Sequence, residues 1–347
     1  MVNGVCAWYH GRVTDLEFVR AAHETCLRRC QAVVAEAYDA DFELLPADPY
    51  DDVAPALSGE LNGEPVEYWL GTADGVPVSV FTVRYSERDN TDLAYLQVNV
   101  APAHRSRGIG RATATAAIER ARALGRTRVS HDIAQRAAGS DPAAGVRLAE
   151  HFGAKSLLQE RRRILRLSAV TDGDLDRLTA SVEAATSGYS LVTWRNHTPD
   201  ESRAEMAGLL ALMSTDPPQG DLDLEAELWD AVRYREWEQG VRDRNRDRLI
   251  VVARHDGSGR LVGFTDLAIP NGRSIGFQWT TIVQSDHRGH RLGLALKVAN
   301  LRYLRAARPD VTVINTWNAV ENSHMVAVNE ALGFQVMEDW GQYGLDV

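Results

Sequence analysis

The chain has 347 residues, 44% hydrophobic and 25% charged, with 38 Lys and Arg against 48 Asp and Glu. That length suits two domains, and a formal charge of −10 disfavours nucleic acid as a partner, because phosphate recognition wants a basic face. Cys6, Cys26 and Cys30 form no CxxC pair and supply too few ligands for a metal, so a reducing compartment without a metal site is expected. The opening MVNGVCAWYHGRVTD lacks the basic-then-apolar layout of a secretion signal, and no run of about 18 apolar residues exists, so a cytoplasmic protein off the membrane is expected.

Apolar residues at helical spacing (Phe18, Val19, Ala22, Cys26, Cys30, Val33, Ala37) predict a first helix over 15–38. A proline-rich loop stretch, 39–65, precedes a hairpin over 68–85 that turns at Asp74-Gly75. A strand follows at 93–100, then a helix at 109–124, a strand at 129–133, a helix at 142–152 closed by Gly153, and a last strand at 163–167. The run Arg161–Arg163 reads as a solvated strand end. A polar segment, 171–188, reads as a connector.

A second series repeats the first. It comprises a strand at 191–194, a helix from Thr198 as N-cap to 213, a long helix over 223–244, and a hairpin over 249–269. A strand at 277–283, a helix at 292–306, a strand at 311–317 and a helix at 323–332 closed by Gly333 complete it. Val100 to Val283, Arg105 to Arg288 and Gly110 to Gly293 are each 183 residues apart. The expected division is 1–170, a connector 171–188, and 189–347.

The segment VNVAPAHRSRGIGRA (98–112) ends a strand and opens a helix with Arg105-Ser-Arg-Gly-Ile-Gly110. Unpaired amides at a helix start, with the helix dipole behind them, make an anion site, and Gly108 and Gly110 let a diphosphate approach the backbone. A Walker A loop needs GxxxxGK[ST], which is absent, and a dinucleotide fingerprint needs a third glycine where Thr113 stands. What remains is [Q/R]xxGx[G/A] after a strand.

This segment resembles motif A of the GNAT superfamily of N-acetyltransferases, matched by Arg105, Gly108 and Gly110. TTIVQSDHRGHRLGLALK (280–297) resembles the same motif through Arg288 and Gly293, with Arg291 in place of the first glycine. NAVENSHMVAVNEALGF (318–334) is similar to motif B, with a weaker version at 147–155. The overall layout resembles tandem GNAT proteins such as the mycothiol synthase-like enzymes. The resemblance implies an α/β (α+β) chain of two GNAT-like domains, each a mixed, mostly antiparallel twisted sheet flanked by helices. It implies an acyl-CoA-dependent N-acyltransferase, with acetyl-CoA or another acyl-CoA as cofactor and a small-molecule amine as acceptor, acting by direct transfer in a ternary complex as a monomer or homodimer. The pantetheine and diphosphate contacts carried over are Val98, Asn99, Val100, Arg105, Ser106, Arg107, Gly108, Ile109, Gly110 and Arg111. In the second copy they are Ile282, Val283, Arg288, Gly289, His290, Arg291, Leu292 and Gly293.

Acyl transfer needs a neutral amine, a donor for the tetrahedral oxyanion and an exit for the thiolate. The resemblance places the oxyanion donor among backbone amides near Val98–Val100 or Ile282–Val283. The family's usual tyrosine acid would stand at Ala149 and Asn329, neither of which is an effective acid. Asp132, beside His131, and Asn318 are the other polar candidates, and the pair His131-Asp132 also reads as a solvated strand end. Tyr95, Gln97, Gln278 and Asp266 are candidates to line a pocket. Trp229 and Trp237 read as core. The first copy has the more complete CoA loop and the second the fuller motif B. A non-catalytic acyl-CoA-binding protein and transfer to a hydroxyl are the rival readings.

Overall fold

Period-two burial in the strands and the placement of their connecting helices define two units. The computed structural model describes residues 7–9, 16–135 and 143–347. The first unit is Met1–Leu158 with Trp340–Val347, and the second is Gln159–Asp339. The elements in chain order are β1 (Ala7–Tyr9), β2 (Leu16–Arg20), α1 (Glu24–Asp41), α2 (Tyr50–Val53), β3 (Glu60–Leu61), β4 (Glu64–Ala73), β5 (Val76–Tyr85), β6 (Leu93–Val100), α3 (Ile109–Ala123), β7 (Arg128–Ala134), α4 (Ala144–His151) and β8 (Lys155–Arg166). They continue as α5 (Asp172–Glu183), β9 (Tyr189–Arg195), α6 (Arg203–Ala211), α7 (Ala231–Asp243), β10 (Arg246–His255), β11 (Leu261–Pro270), β12 (Ile275–Val283), α8 (Leu292–Ala307), β13 (Val313–Ala319), α9 (Ser323–Ala331) and β14 (Gln335–Asp346).

In the first unit the sheet runs β1-β2-β4-β5-β6-β7 and is completed by the end of β14, whose Trp340–Asp346 pair with Ala134–Arg128. Every pairing is antiparallel except β6 with β7. Alternate strand residues feed opposite faces: Phe81 and Val83 pack under α3 with Ile109, Ala117 and Ala121, while Leu70 and Val80 pack under α1 with Cys26, Leu27 and Cys30. The second unit repeats the plan as β9-β10-β11-β12-β13-β8, again antiparallel except β12 with β13. Its α8, α9 and α5 cover one face through Leu294, Val298, Leu301, Val328 and Leu175, and α6 and α7 cover the other through Met206, Leu209 and Tyr234. Each unit is therefore a mixed, mostly antiparallel sheet flanked by helices.

Several sequence expectations change. Residues 16–20 are a strand, not the start of the first helix: Leu16 and Phe18 point inward at period two, and His23 caps α1. Thr198 is not a helix cap. It is buried, with its N–H donated to Glu238 and its hydroxyl against Tyr234. The long second-unit helix begins only at Ala231, where Asp230 accepts the N–H groups of Val232 and Arg233. Arg162 and Arg163 are buried: Arg162 pairs with Glu338 at 2.7 Å and donates to Asn315 at 2.6 Å. The segment 171–188 carries α5, opened by a Thr171–Asp174 capping box and packed in the second unit, and the unit boundary falls ahead of it at Leu158. Cys26 and Cys30 are free and buried, while Cys6 and Pro142 lie outside the described residues.

Candidate active site

Both glycine-containing loops fold alike. After β6, a 3₁₀ turn (Pro102–His104) leads to Arg105 in extended conformation, and Ser106 and Gly108 take φ of 60° and 82° before α3 begins. After β12, a 3₁₀ turn (Ser285–His287) leads to Arg288, and Gly289 and Arg291 take φ of 84° and 53° before α8. The left-handed positions coincide, so the glycine has moved by one site while the backbone path is kept. Arg291 adopts a conformation that costs an L-residue about 1 kcal/mol. No side chain caps either helix, so first-turn amides face outward in both. A methyl group at Gly110 would meet Val100 and Leu148 at 3.7 and 3.8 Å, ordinary contact, and one at Gly293 would meet nothing within 4 Å.

Arg105 and Arg288 brace their loops. Arg105 donates Nε to the Val100 carbonyl at 3.1 Å and forms a two-pronged pair with Asp41 at 2.6 and 2.9 Å. Arg288 donates Nε to the Val283 carbonyl at 3.2 Å and pairs with Asp216. Both guanidiniums were expected among the diphosphate contacts; in the structure their paired carboxylates hold them as struts of the loop. The remaining cations differ between copies. Arg107 and Arg111 are exposed, and their side chains make no ion pair or hydrogen bond among the described residues. Arg291 instead donates to the Ser181 carbonyl at 2.8 Å, His290 lies 3.3 Å from the Ala185 carbonyl, and His287 lies 3.0 Å from the Tyr189 hydroxyl. The carbonyl end of α5, where the helix dipole concentrates negative charge, thus engages Arg291, and His290 lies just past it.

Beside each loop the sheet splits. β6 and β7 pair only at Leu93, Ala94 and Tyr95 with Arg128, Val129 and Ser130, and then diverge. β12 and β13 pair only at Ile275, Gly276 and Phe277 with Val313, Ile314 and Asn315. Ala101 donates its N–H to Val78 on β5, so strand alternation turns the N–H and C=O groups of Val98 and the N–H of Val100 toward the open side. Ile282 is buried and Val283 half-buried at the matching strand end of the second copy.

The two splits are lined differently. Register makes Tyr95 the counterpart of Phe277, Gln97 of Trp279, and Asp132 of Trp317. In the first unit, Asp132 is reached by solvent yet desolvated enough by its surroundings to raise its pKa, against the opposing pull of Arg84. Its neighbour His131 is a neutral imidazole, its pKa lowered to about 4 by burial, with Nδ1 unpartnered and a bond to the Leu96 backbone raising it back only slightly. In the second unit, Phe277 stacks on Trp317 at 6.4 Å and 12°, and Arg246 lies 5.8 Å over Phe277 and 5.4 Å over Trp279. Aromatic rings fill the place where the first copy has a carboxylate.

The second unit's polar candidates are engaged internally. Asn329, fully buried, donates to Asn318 at 2.6 Å and accepts from Lys297 at 2.7 Å. Lys297 was missed in the sequence; burial without a carboxylate lowers its pKa to about 7. Asp266 is fully buried, pairs with Arg248 at 2.8 Å, and accepts the Thr280 N–H at 2.8 Å, fixing a bulge in β12 against which Gln278 also bonds. Trp229 and Trp237 pack against the core as expected. Tyr38, Phe42 and Trp340, at the mouth of the first split, were also missed. Among the described residues no cluster of His, Cys, Asp and Glu could hold a metal, and no helix is long and apolar enough to cross a membrane.

Residues 31–144 match the model of the acetyltransferase (GNAT) family. That span holds the first loop, β6 and β7, and ends before the second unit. No protein of curated function matches the chain. Among solved structures, the chain is similar to a tandem GNAT protein from the clavulanic acid biosynthesis pathway, at 28% identity over 96% of this chain and 98% of that one, with a TM-score of 0.79. It shares its fold with a GCN5-related N-acetyltransferase from Sphaerobacter thermophilus, at 17% identity over 95% of both chains, with a TM-score of 0.63.

Proposed function

We propose, from the acetyltransferase (GNAT) model matched by residues 31–144 and the likeness to a tandem GNAT protein, that this chain is a tandem GNAT-type acetyltransferase whose first unit binds acetyl-CoA or another acyl-CoA and transfers the acyl group directly to a small-molecule amine. The observation that carries this reading is the conjunction, in one unit, of an open split, a free basic loop and a carboxylate. The diphosphate sits on the amides of Ser106–Arg111, with Arg107 and Arg111 as its cations and Arg105 holding the loop through Asp41. The pantetheine arm lies in the split and bonds the exposed backbone of Val98 and Val100, with Asn99 beside it.

The amine nitrogen attacks the thioester carbonyl while Asp132 accepts its proton. The oxyanion that forms takes a hydrogen bond from the Val98 N–H, and the carbon–sulfur bond then breaks to give the amide and coenzyme A thiolate. Ala149 offers no proton, so the thiolate is protonated by water. On this reading the second unit leaves acyl-CoA to the first, since Arg291 and His290 of its loop are committed to carbonyls at and just past the end of α5 and its split holds a ring stack. Thiol release from acetyl-CoA in the presence of a panel of amines tests the reading. Amine-dependent release with an acylated amine as product is expected; tight acetyl-CoA binding with no turnover for any acceptor would replace it with a binding role.

A further inference from the structure

The split in the first unit has two mouths, and the loop and α3 occupy one of them. The acceptor must therefore come from the α1 side. On that side β7 presents Asp132 and Ala134, and register places Gln342 and Trp340 beside them. Phe42, which ends α1, stacks on Trp340 at 5.5 Å and 18°, and Tyr38, one turn earlier, meets Phe42 edge-on at 5.1 Å and 61°. All three rings are half-buried, so they form a wall that solvent still reaches. Tyr95 and the exposed Gln97 line the β6 side.

The charges at this mouth leave a net negative field. Arg84 is held by Glu64 at 2.6 Å and lies 4.6 Å over Tyr95, and Arg105 is held by Asp41. Asp132 has no hydrogen bond or ion pair of its own among the described residues. The Tyr38 hydroxyl reports the field: burial first, then Asp48, Asp132 and Asp41, push its pKa up to about 12. The three carboxylates that disfavour a phenolate favour an ammonium ion, whereas burial disfavours both. Asp132 stands two strand residues from Ala134, the partner of Trp340, a separation of about 7 Å. That is the span of an aromatic ring with a short carbon arm ending in an amine.

Resting on the reading above, we propose that the α1-facing mouth of this split, walled by Tyr38, Phe42 and Trp340 with Asp132 at its inner end, is the acceptor site, and that it takes a cationic amine carried on an aromatic ring. The ring packs against Phe42 and Trp340 and the ammonium is drawn to Asp132; its first proton passes to solvent, which leaves Asp132 to take the second as the nitrogen attacks. Tyr38 and the aromatic pair are specificity residues; they touch the acceptor and not the thioester.

The full chain saturated with coenzyme A is titrated calorimetrically with 2-phenylethylamine and with n-butylamine, and thiol release from acetyl-CoA is followed with both. Phenylethylamine is expected to bind and to react at least tenfold more efficiently than butylamine. Trp340→Leu and Phe42→Leu should each reduce that preference about tenfold through KM, with acetyl-CoA affinity and the melting temperature kept, and Trp340→Phe should restore most of it. Equal binding of the two amines, no binding of phenylethylamine, or a preference untouched by Trp340→Leu overturns the proposal. Failure of the wild-type chain to bind acetyl-CoA at all would instead remove the reading beneath it.

Discussion

The two glycine-containing loops share a backbone and differ in what their side chains are attached to. Each has its bracing arginine, its paired carboxylate and its two left-handed residues. In the first, the Arg107 and Arg111 side chains have no partner among the described residues and Asp132 faces an open split; in the second, carbonyls at and just past the end of α5 take Arg291 and His290, and Trp317 stacks on Phe277 where Asp132 would be. Backbone geometry that suits an anion is thus common to both copies, and the freedom to use it is confined to one. On the proposed reading, the duplicated scaffold is preserved while side-chain differences leave acyl transfer to the first copy.

The comparison breaks most directly at the carboxylate. Asp132→Asn should lower kcat about 100-fold with the KM for acetyl-CoA unchanged, whereas Trp317→Leu should leave kcat within about twofold. Because desolvation raises the Asp132 pKa, wild-type kcat/KM should rise with pH along a limb above the ordinary carboxylate range, and that limb should vanish in Asp132→Asn. A buried contrast follows. Lys297 occupies the place that Ala114 holds in the first copy, 183 residues earlier. With its folded-state pKa lowered to about 7, the unfolded chain binds more protons above that pH, so stability should climb from pH 7 toward 10. Chemical denaturation across that range should show Lys297→Met flattening the climb, by up to about 3.5 kcal/mol.

Smaller effects separate contact from bracing. Arg107→Ala should weaken acetyl-CoA binding about tenfold, more at low salt than at high, with the melting temperature unchanged, while Arg291→Ala should leave affinity alone. Asp41→Ala frees Arg105 from its strut and should cost about threefold in affinity together with about 1 kcal/mol of stability, a combination that a direct phosphate contact would not produce.

Much of this was legible in the chain itself. The strand–turn–helix of each loop and the helix-ending glycines Gly153 and Gly333 follow from local rules, and the common 183-residue spacing exposes the repeat. What stayed hidden depends on distant partners. Arg105 looks like free charge until Asp41, 64 residues away, closes on it. Arg162 looks solvated until Glu338, 176 residues away, meets it. The counterpart of Asp132 was masked because Trp317 lies 185 residues on and not 183: the second copy has two more residues between its loop glycine and the following strand. Residues 16–20 were misread because Phe18, Val19 and Ala22 fit a helical spacing as well as an alternating one, and only pairing with β4 decides between them.

Calorimetric titration of acetyl-CoA into the wild-type chain and into Gly108→Glu and Gly289→Glu addresses the division of labour most directly. A single equivalent should bind to wild type and to Gly289→Glu with affinities within about twofold, and binding to Gly108→Glu should fall at least 100-fold, because a carboxylate then stands where the diphosphate meets bare amides. Two equivalents in the wild type, or binding lost in Gly289→Glu and kept in Gly108→Glu, would contradict it.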